Sequence, residues 1–579
     1  MIRDDDLRIR LGRIRDTGNA RRAKPFIARV LAATEKAGGL HRRPRRKARG
    51  VVFGRGRTAS VAAMRRLTDR ARSVAVKIRV VRHRQNRAPL KDHLLYLRRE
   101  GVTKQGAAGR MFDAERDDAD HRAFADRCEG DRHHFRFIIS PEDAEQLPDL
   151  KAFTRDLIAQ AERDLGSKLD WIGVDHWNTD NPHIHVIVRG KADDGGDLVI
   201  ARDYISHGMR ARAAHLATLE LGPRSDIAIR RDLDAQVEAD RWTKLDSAVA
   251  RQAAQHDGVI DLRPGADRLA QGQLRSAMVT RMRKLERLGL AEALGPARWH
   301  LSENAEPTMR TLGERTDIIK RIHRGLAAQH IERSTSDFVL DEESARQPIV
   351  GRLVARGLDD ELRGTAYAVI DGVDGRAHHV CLADLDAASD VAPGGIVELR
   401  RFEDAAGRQR VALAVRSDLP LKAQIQASGA TWLDRQLLAR HPGALTSNGF
   451  GREVRVAMDA RVEHLIGQGL ARRQGQLVIF ARDLLDTLRR RELEAAATRI
   501  GSNAGLPYHP AMEGETVAGV YRQRLDLASG RFAMIDDGLG FSLVPWSPSL
   551  ERHLGRQVSG IAQASRIEWS LGRARDLTI

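Results

Sequence analysis

The chain has 579 residues, 42% hydrophobic but only 4% aromatic, so several domains with cores of Leu, Val, Ile and Ala are expected. Its net charge of +18 and pI near 10.4 narrow the partners to a polyphosphate or an anionic surface. No apolar run is long enough for a spanning helix, the start "MIRDDDLRIRLGRIR" lacks the apolar stretch of a secretory signal, and the distant Cys128 and Cys381 exclude a disulfide scaffold or a cysteine zinc site.

The first reading is a cytoplasmic nucleic-acid protein with no membrane insertion, ahead of a merely basic soluble enzyme. Residues 1–73 read as a basic, flexible arm: "HRRPRRKARGVVFGRGR" sets Arg45, Arg46 and Lys47 among Gly and Pro, suited to tethering DNA phosphates. From Ser73 the pattern changes. "VAVKIRVVRH" alternates like a strand, and "PLKDHLLYLRREG" reads as a helix begun at Pro89 and closed by Gly101. "HHFRFIISP" is a second strand, and "DAEQLPDLKAFTRDLIAQAERDLG" has helical spacing with a glycine stop. "LDWIGVDHW" and "HIHVIVRGK" supply strands three and four. The fold class expected is α+β, with a helix-covered sheet over residues 74–225.

Beyond it the chain reads as duplicated. "RMRKLERLGLAEALGPARWHL" (Arg281 to Leu301) and "RVEHLIGQGLARRQGQLVIF" (Arg461 to Phe480) share Arg-x3-Leu-x3-Gly-Leu-Ala: a basic amphipathic helix, a break, then a short strand pair. A winged-helix unit would read this way. "GTAYAVIDG" and "GRFAMIDDG" lie in alternating segments that suggest small β-barrels. The boundaries expected are a helical unit at 226–335, a β-rich one at 336–420, a second helical unit at 421–504 and a second β-rich one at 505–579.

The chemistry concentrates in "VDHWNTDNPHIHVIVRG". Strand residues two apart share a face, so His183 and His185 project together, and the turn "WNTDN" can return His176 to them. A lone His-x-His is usually structural. A third imidazole, with Asp175, Asn178 and Asp180 nearby as acceptors, favours a divalent metal held by neutral rings, with positions open for substrate. The basic balance makes a phosphodiester the natural substrate. Of five tyrosines, Tyr96 and Tyr204 lie near this region; Tyr96 has Arg98 and Arg99 beside it to attract phosphate, and either phenol could instead be core.

These residues resemble a conjugative relaxase (mobilisation nuclease) of the HUH endonuclease superfamily, of the VirD-type, mobilisation-type P group, over about residues 74–225 with a long C-terminal extension. Tyr96-Leu97-Arg98-Arg99-Glu100-Gly101 is similar to the family's Tyr-Leu-x-Arg-x-Gly motif. "HHFRFIISP" loosely matches its His-led strand closing with Ser, making His134 and Ser140 candidates to line the site; which of His133 and His134 faces it is open. His176, His183 and His185, with Asp180 and Pro182, match the His-x6-His-x-His motif.

The resemblance implies a metal-dependent endonuclease and strand transferase that nicks an origin of transfer. Tyr96 would attack one strand, stay on its 5′ end and pilot it through a type IV secretion system, with relaxosome accessory proteins and a coupling protein as partners. The DNA would be both single-stranded and supercoiled duplex from a plasmid or integrative element. The protein would be cytoplasmic in a bacterium, or exported on its DNA. His176, His183 and His185 would hold Mg²⁺ or Mn²⁺, three nitrogens suiting Mn²⁺ better. Asp175 is a candidate to orient His176, and Tyr204 is the alternative nucleophile. Two other readings stand beside this one. A rolling-circle replication initiator shares the chemistry but usually carries a helicase, and no GxxxxGK[ST] loop occurs here. A non-catalytic DNA-binding protein would use the histidines structurally.

Overall fold

The alternating stretch "VAVKIRVVR" forms β1 (Val74–Arg82), with Val74 and Val76 buried. Leucines at helical spacing follow: α1 (Pro89–Leu97) buries Leu90, Leu94 and Leu97. Next come α2 (His121–Arg127), β2 (His133–Pro141), α3 (Leu150–Leu165), β3 (Trp171–His176), β4 (His183–Arg189) and α4 (Met209–Leu221). This computed structural model describes residue 55 and residues 70–83, 89–98, 103–104, 107–177, 181–264, 273–340, 348–403, 407–440, 443–563 and 566–570. Arg45, Arg46 and Lys47 of the basic run lie outside them, as do Arg99, Gly101, Asn178 and Asp180, whereas Arg55 of the same run bridges to Ile200 and pairs with Asp194 at 3.0 Å.

The four strands make one antiparallel sheet, order β1-β2-β4-β3. Because side chains alternate across a strand, each face has its own core. One face joins Val76, Phe137, Ile139, Val186 and Val188 to α3 and α4 through residues such as Leu157 and Met209. The other joins Ile172, Val174 and Ile187 to α1 and α2 through Leu94, Leu97 and Phe124. The segment from Asp143 to Gly166 differs from the single expected helix. A short 3-10 turn (Ala144–Gln146) precedes Pro148, and α3 starts afresh behind Asp149, whose carboxylate accepts from the Lys151 and Ala152 amides. Proline cannot donate into a helix and disfavours helical geometry in the residue before it, so the break falls there.

The chain divides into two units, Met1–Thr316 and Asp317–Ile579, and both are mixed α+β with antiparallel sheets. The first unit continues through α5 (Asp226–Glu238), α6 (Lys244–Ala253), β5 (Val259–Asp261), α7 (Gln273–Arg287), β6 (Ala291–Gly295) and β7 (Arg298–Leu301), around a core that includes Trp242, Met282 and Trp299. In the second, β8 (Phe338–Val339), β9 (Ile349–Asp360), β10 (Thr365–Gly372), β11 (Ala377–Leu382), β12 (Ile396–Glu403) and β13 (Gln409–Ser417) form one sheet. There follow α8 (Leu421–Ile425), α9 (Trp432–Leu437), α10 (Gly449–Gly467) and the hairpin β14 (Ala471–Gln474) and β15 (Leu477–Phe480). The helix α11 (Leu484–Ala504) leads to a sheet of β16 (Thr516–Leu527), β17 (Gly530–Asp536), β18 (Phe541–Pro545), β19 (Gln557–Gln563) and β20 (Arg566–Trp569).

Both stretches with the shared signature are a helix, a Gly-Leu-Ala break and a hairpin. Their first arginine is not on a basic surface as the sequence suggested: Arg281 and Arg461 are each 0% exposed. Arg281 grips Asp246 through Nε and Nη2 at 2.8 Å and donates to the carbonyls of Val237, Ala239 and Arg241. Arg461 grips Asp434 the same way at 2.9 Å and donates to the carbonyls of Ile425, Ala427 and Gly429. In each case the aspartate also closes a capping box with a threonine, Thr243 or Thr431.

Candidate metal centre

The sheet's register assembles the three histidines. His176 ends β3 directly opposite His183 at the start of β4, and His185, two residues on, pairs with Val174. All three rings project from the face that α1 and α2 cover, because they alternate with residues of the other core. The rings are buried, with centroids 4.5 Å (His176–His185), 5.0 Å (His183–His185) and 5.5 Å (His176–His183) apart. One ring nitrogen from each lies within 4.8 Å of the others.

The hydrogen bonds set the tautomers. His183 Nδ1 donates to the Asn181 carbonyl at 2.9 Å, and His176 Nε2 donates to the Leu97 carbonyl at 2.9 Å. A neutral imidazole that donates through one nitrogen keeps its lone pair on the other. His183 therefore presents Nε2, which sits 3.2 Å from His185 Nε2, and His176 presents Nδ1. Backbone carbonyls that fix the far nitrogen of a metal-binding histidine are the usual support of such sites. The donor set thus fits a divalent transition ion held by three nitrogens.

The remaining expected residues fall unevenly around this pocket. Tyr96, partly buried, packs on the core shared by α1, α2, β3 and β4, and its chain neighbour Leu97 is the residue whose carbonyl meets His176. Arg98 donates to the His121 ring at 3.0 Å. Ser140 lies on the histidine face and donates to the Pro182 carbonyl at 3.2 Å, which pins the start of β4. Asp175 is not brought to His176: neighbours in a strand point to opposite faces, and its carboxylate accepts from the Trp177 indole at 2.6 Å. Tyr204 lies in the core on the other side of the sheet, where it donates to Asp164 at 2.9 Å; burial, reinforced by that carboxylate, raises its pKa far above the ordinary phenol value.

His134 shares the histidine face and His133 the opposite one, but His134 is four residues along β2 from Ile138, the partner of His185. It accepts from Arg136 Nε at 3.1 Å, and its Nδ1 is 2.7 Å from His83 Nε2. Burial, with Arg136 second, pushes the His134 pKa down to about 2, so the ring is neutral. Three residues of this neighbourhood were missed from sequence: Leu97, His83 and Arg136. The first acts through its backbone, which sequence does not mark. The last could have been found by parity, since it shares a face of β2 with His134, Ile138 and Ser140.

Fold and site together define a mixed α+β protein with a buried three-histidine pocket on one face of an antiparallel sheet. The chain belongs to the family described as protein of unknown function (DUF3363), whose model matches residues 278–407 and 400–578. The matched part begins within α7, so it leaves out the histidine-bearing sheet. No curated protein matches the chain, and no solved structure does.

Proposed function

We propose that residues 74–225 form an HUH nuclease domain and that the protein is a relaxase, nicking and rejoining one DNA strand through Tyr96. The observation that supports this most is the hydrogen bond from His176 to the Leu97 carbonyl, which ties the helix bearing Tyr96 to the three-histidine pocket. Tyr204 has no such link and faces the other core.

In the proposed reaction the Tyr96 phenol oxygen attacks a phosphodiester phosphorus. The P–O bond to the 3′ oxygen breaks, and the departing oxygen takes up a proton to become a free hydroxyl. The strand's 5′ phosphate remains on the tyrosine, and the reverse attack restores the strand without an external energy source. His176, His183 and His185 would hold Mn²⁺ or Mg²⁺, which when bound supplies charge stabilisation at a non-bridging phosphate oxygen. Leu97 and Asn181 keep the His176 and His183 rings in their binding tautomers.

The twin helix-and-hairpin segments carrying Arg281 and Arg461 are read as winged-helix units, and the β-rich segments after them as small barrels, together a duplex-binding extension. DNA, accessory proteins and a secretion coupling protein are the partners this reading implies.

The test is incubation of the purified chain with single-stranded oligonucleotides from intergenic DNA beside its gene, in Mn²⁺ or Mg²⁺. A covalent adduct that survives denaturant is expected, lost in Tyr96→Phe and in His183→Ala/His185→Ala, and kept in Tyr204→Phe. Persistence of the adduct in Tyr96→Phe would end the reading. Tight DNA binding with no adduct in any divalent ion would favour the non-catalytic alternative.

A further inference from the structure

Four arginines are buried among the described residues: Arg136, Arg212, Arg281 and Arg461. Three are neutralised by carboxylates, Arg212 by Asp164, Arg281 by Asp246 and Arg461 by Asp434. Arg136, 7% exposed, meets no carboxylate among the described residues. A buried charge without a counter-charge is costly, and proteins rarely keep one without a use.

The surroundings raise that cost. Arg79 on β1 stands directly opposite Arg136, and Lys77 opposite Ile138, so three cations share the histidine face of β1 and β2. Burial first, and the Arg79 charge second, push the Arg136 guanidinium down to about 10. Asp131, five residues before Arg136 in the chain, is spent on Arg189 at 2.7 Å and offers no relief.

The guanidinium is nevertheless held in one orientation. Its Nε donates to His134 Nε2, so a neutral His134 carries its proton on Nδ1 and donates at 2.7 Å to His83 Nε2. The histidine pair thus engages one edge of the guanidinium and leaves the two Nη groups for another acceptor. The position relative to the pocket is set by register. Arg136 pairs with Ile187, two residues from His185 on the same face, a diagonal of about 7–8 Å. That spacing is comparable to the step between successive phosphates of an extended strand.

We infer that Arg136, oriented by His134 and His83 and backed by Arg79 and Lys77, is a binding site for a phosphate of a single nucleic-acid strand, one nucleotide away from the phosphate at the three histidines. Arg136 is here a binding residue, and His134 and His83 position it. The site rests on the reading that the histidine pocket works on a phosphodiester, yet the two can fail separately.

The test uses the full chain, Arg136→Met and Arg136→Lys. Thermal unfolding is followed in inorganic phosphate against chloride of matched ionic strength. A short oligo-thymidylate is titrated by fluorescence anisotropy over a range of salt. Phosphate is expected to raise the unfolding temperature of the native chain above the chloride control, and the rise should disappear in Arg136→Met. That variant should bind the oligonucleotide about tenfold more weakly, with a log–log salt slope smaller by about 0.7, the value of one neutralised phosphate on a single strand. Arg136→Lys keeps the charge but loses the planar fork, so it should fall between the two, and it carries the test if Arg136→Met does not fold. No phosphate effect in the native chain, or equal shifts and slopes in all three proteins, would overturn the site. Arg136-dependent binding with no tyrosine adduct would keep this site and remove the nuclease. Adduct formation with Arg136-independent binding would remove this site alone.

Discussion

At the scale of single residues, Arg281 and Arg461 set out what a charge needs inside a protein. Each spends its guanidinium on two carboxylate oxygens and three backbone carbonyls. Such a pair need not add net stability, because desolvation offsets the attraction, but breaking it strands the partner. Arg281→Ala should therefore lose about 3–5 kcal/mol in urea denaturation, and Arg281→Met/Asp246→Leu should lose clearly less than either single change. If the double variant loses as much as the two singles summed, the pair is not coupled as described. A simpler expectation concerns the thiols. Burial, with Asp131 second, pushes Cys128 up to about 12, while Cys381 is exposed. Mild alkylation at neutral pH should label Cys381 and spare Cys128 by peptide mapping. The histidines were legible from sequence because alternation alone places His183 beside His185. The burial of Arg281 was not, since a basic amphipathic helix looks the same whether one of its arginines faces solvent or a distant aspartate. Asp175 was misjudged as a support for His176, although the alternation that grouped the histidines also turns it away.

At the scale of elements, the strands were legible and the helix boundaries were not. All four strands of the histidine-bearing sheet fall where alternating or β-branched runs predicted them, because burial on the two faces imposes a period of two. The helix read from Asp143 to Gly166 was too long, since spacing alone passed over Pro148 and the better cap one residue later. That cap makes a prediction. Asp149 satisfies two amides that the first turn leaves open, so Asp149→Ala should cost about 1 kcal/mol. Gly166, the C-cap at φ 62°, should cost about as much when changed to Ala. Because α3 packs on the sheet face away from the histidines, both variants should leave metal-induced stabilisation of the remaining folded protein unchanged. Loss of the metal response in either would mean that the two faces are coupled more tightly than their separate cores suggest.

For the whole molecule, charge is the property that no single site explains. The chain carries 97 Lys and Arg against 79 Asp and Glu. Many arginines among the described residues are matched to acids, Arg212, Arg281 and Arg461 among them, and contribute nothing to the excess. The stretch "HRRPRRKARGVVFGRGR" has eight Arg and Lys and no acid, and the one of the eight among the described residues, Arg55, is matched to Asp194 at 3.0 Å. Charge of this kind acts by releasing counterions from DNA, a contribution independent of sequence and of the histidine pocket. Replacing the seven basic residues of the stretch other than Arg55 with Gln should therefore weaken binding to non-specific duplex and flatten its log–log salt dependence by up to about 0.9 for each phosphate no longer neutralised. The adduct on a single-stranded oligonucleotide, read at low salt, should persist. His183→Ala/His185→Ala should do the reverse, abolishing the adduct and keeping the salt slope, which rests on Lys and Arg. Anisotropy titrations between low and moderate salt measure the first quantity and denaturing gels the second. A Gln-substituted chain with an unchanged slope would mean that the salt-dependent binding rests on charge elsewhere in the chain.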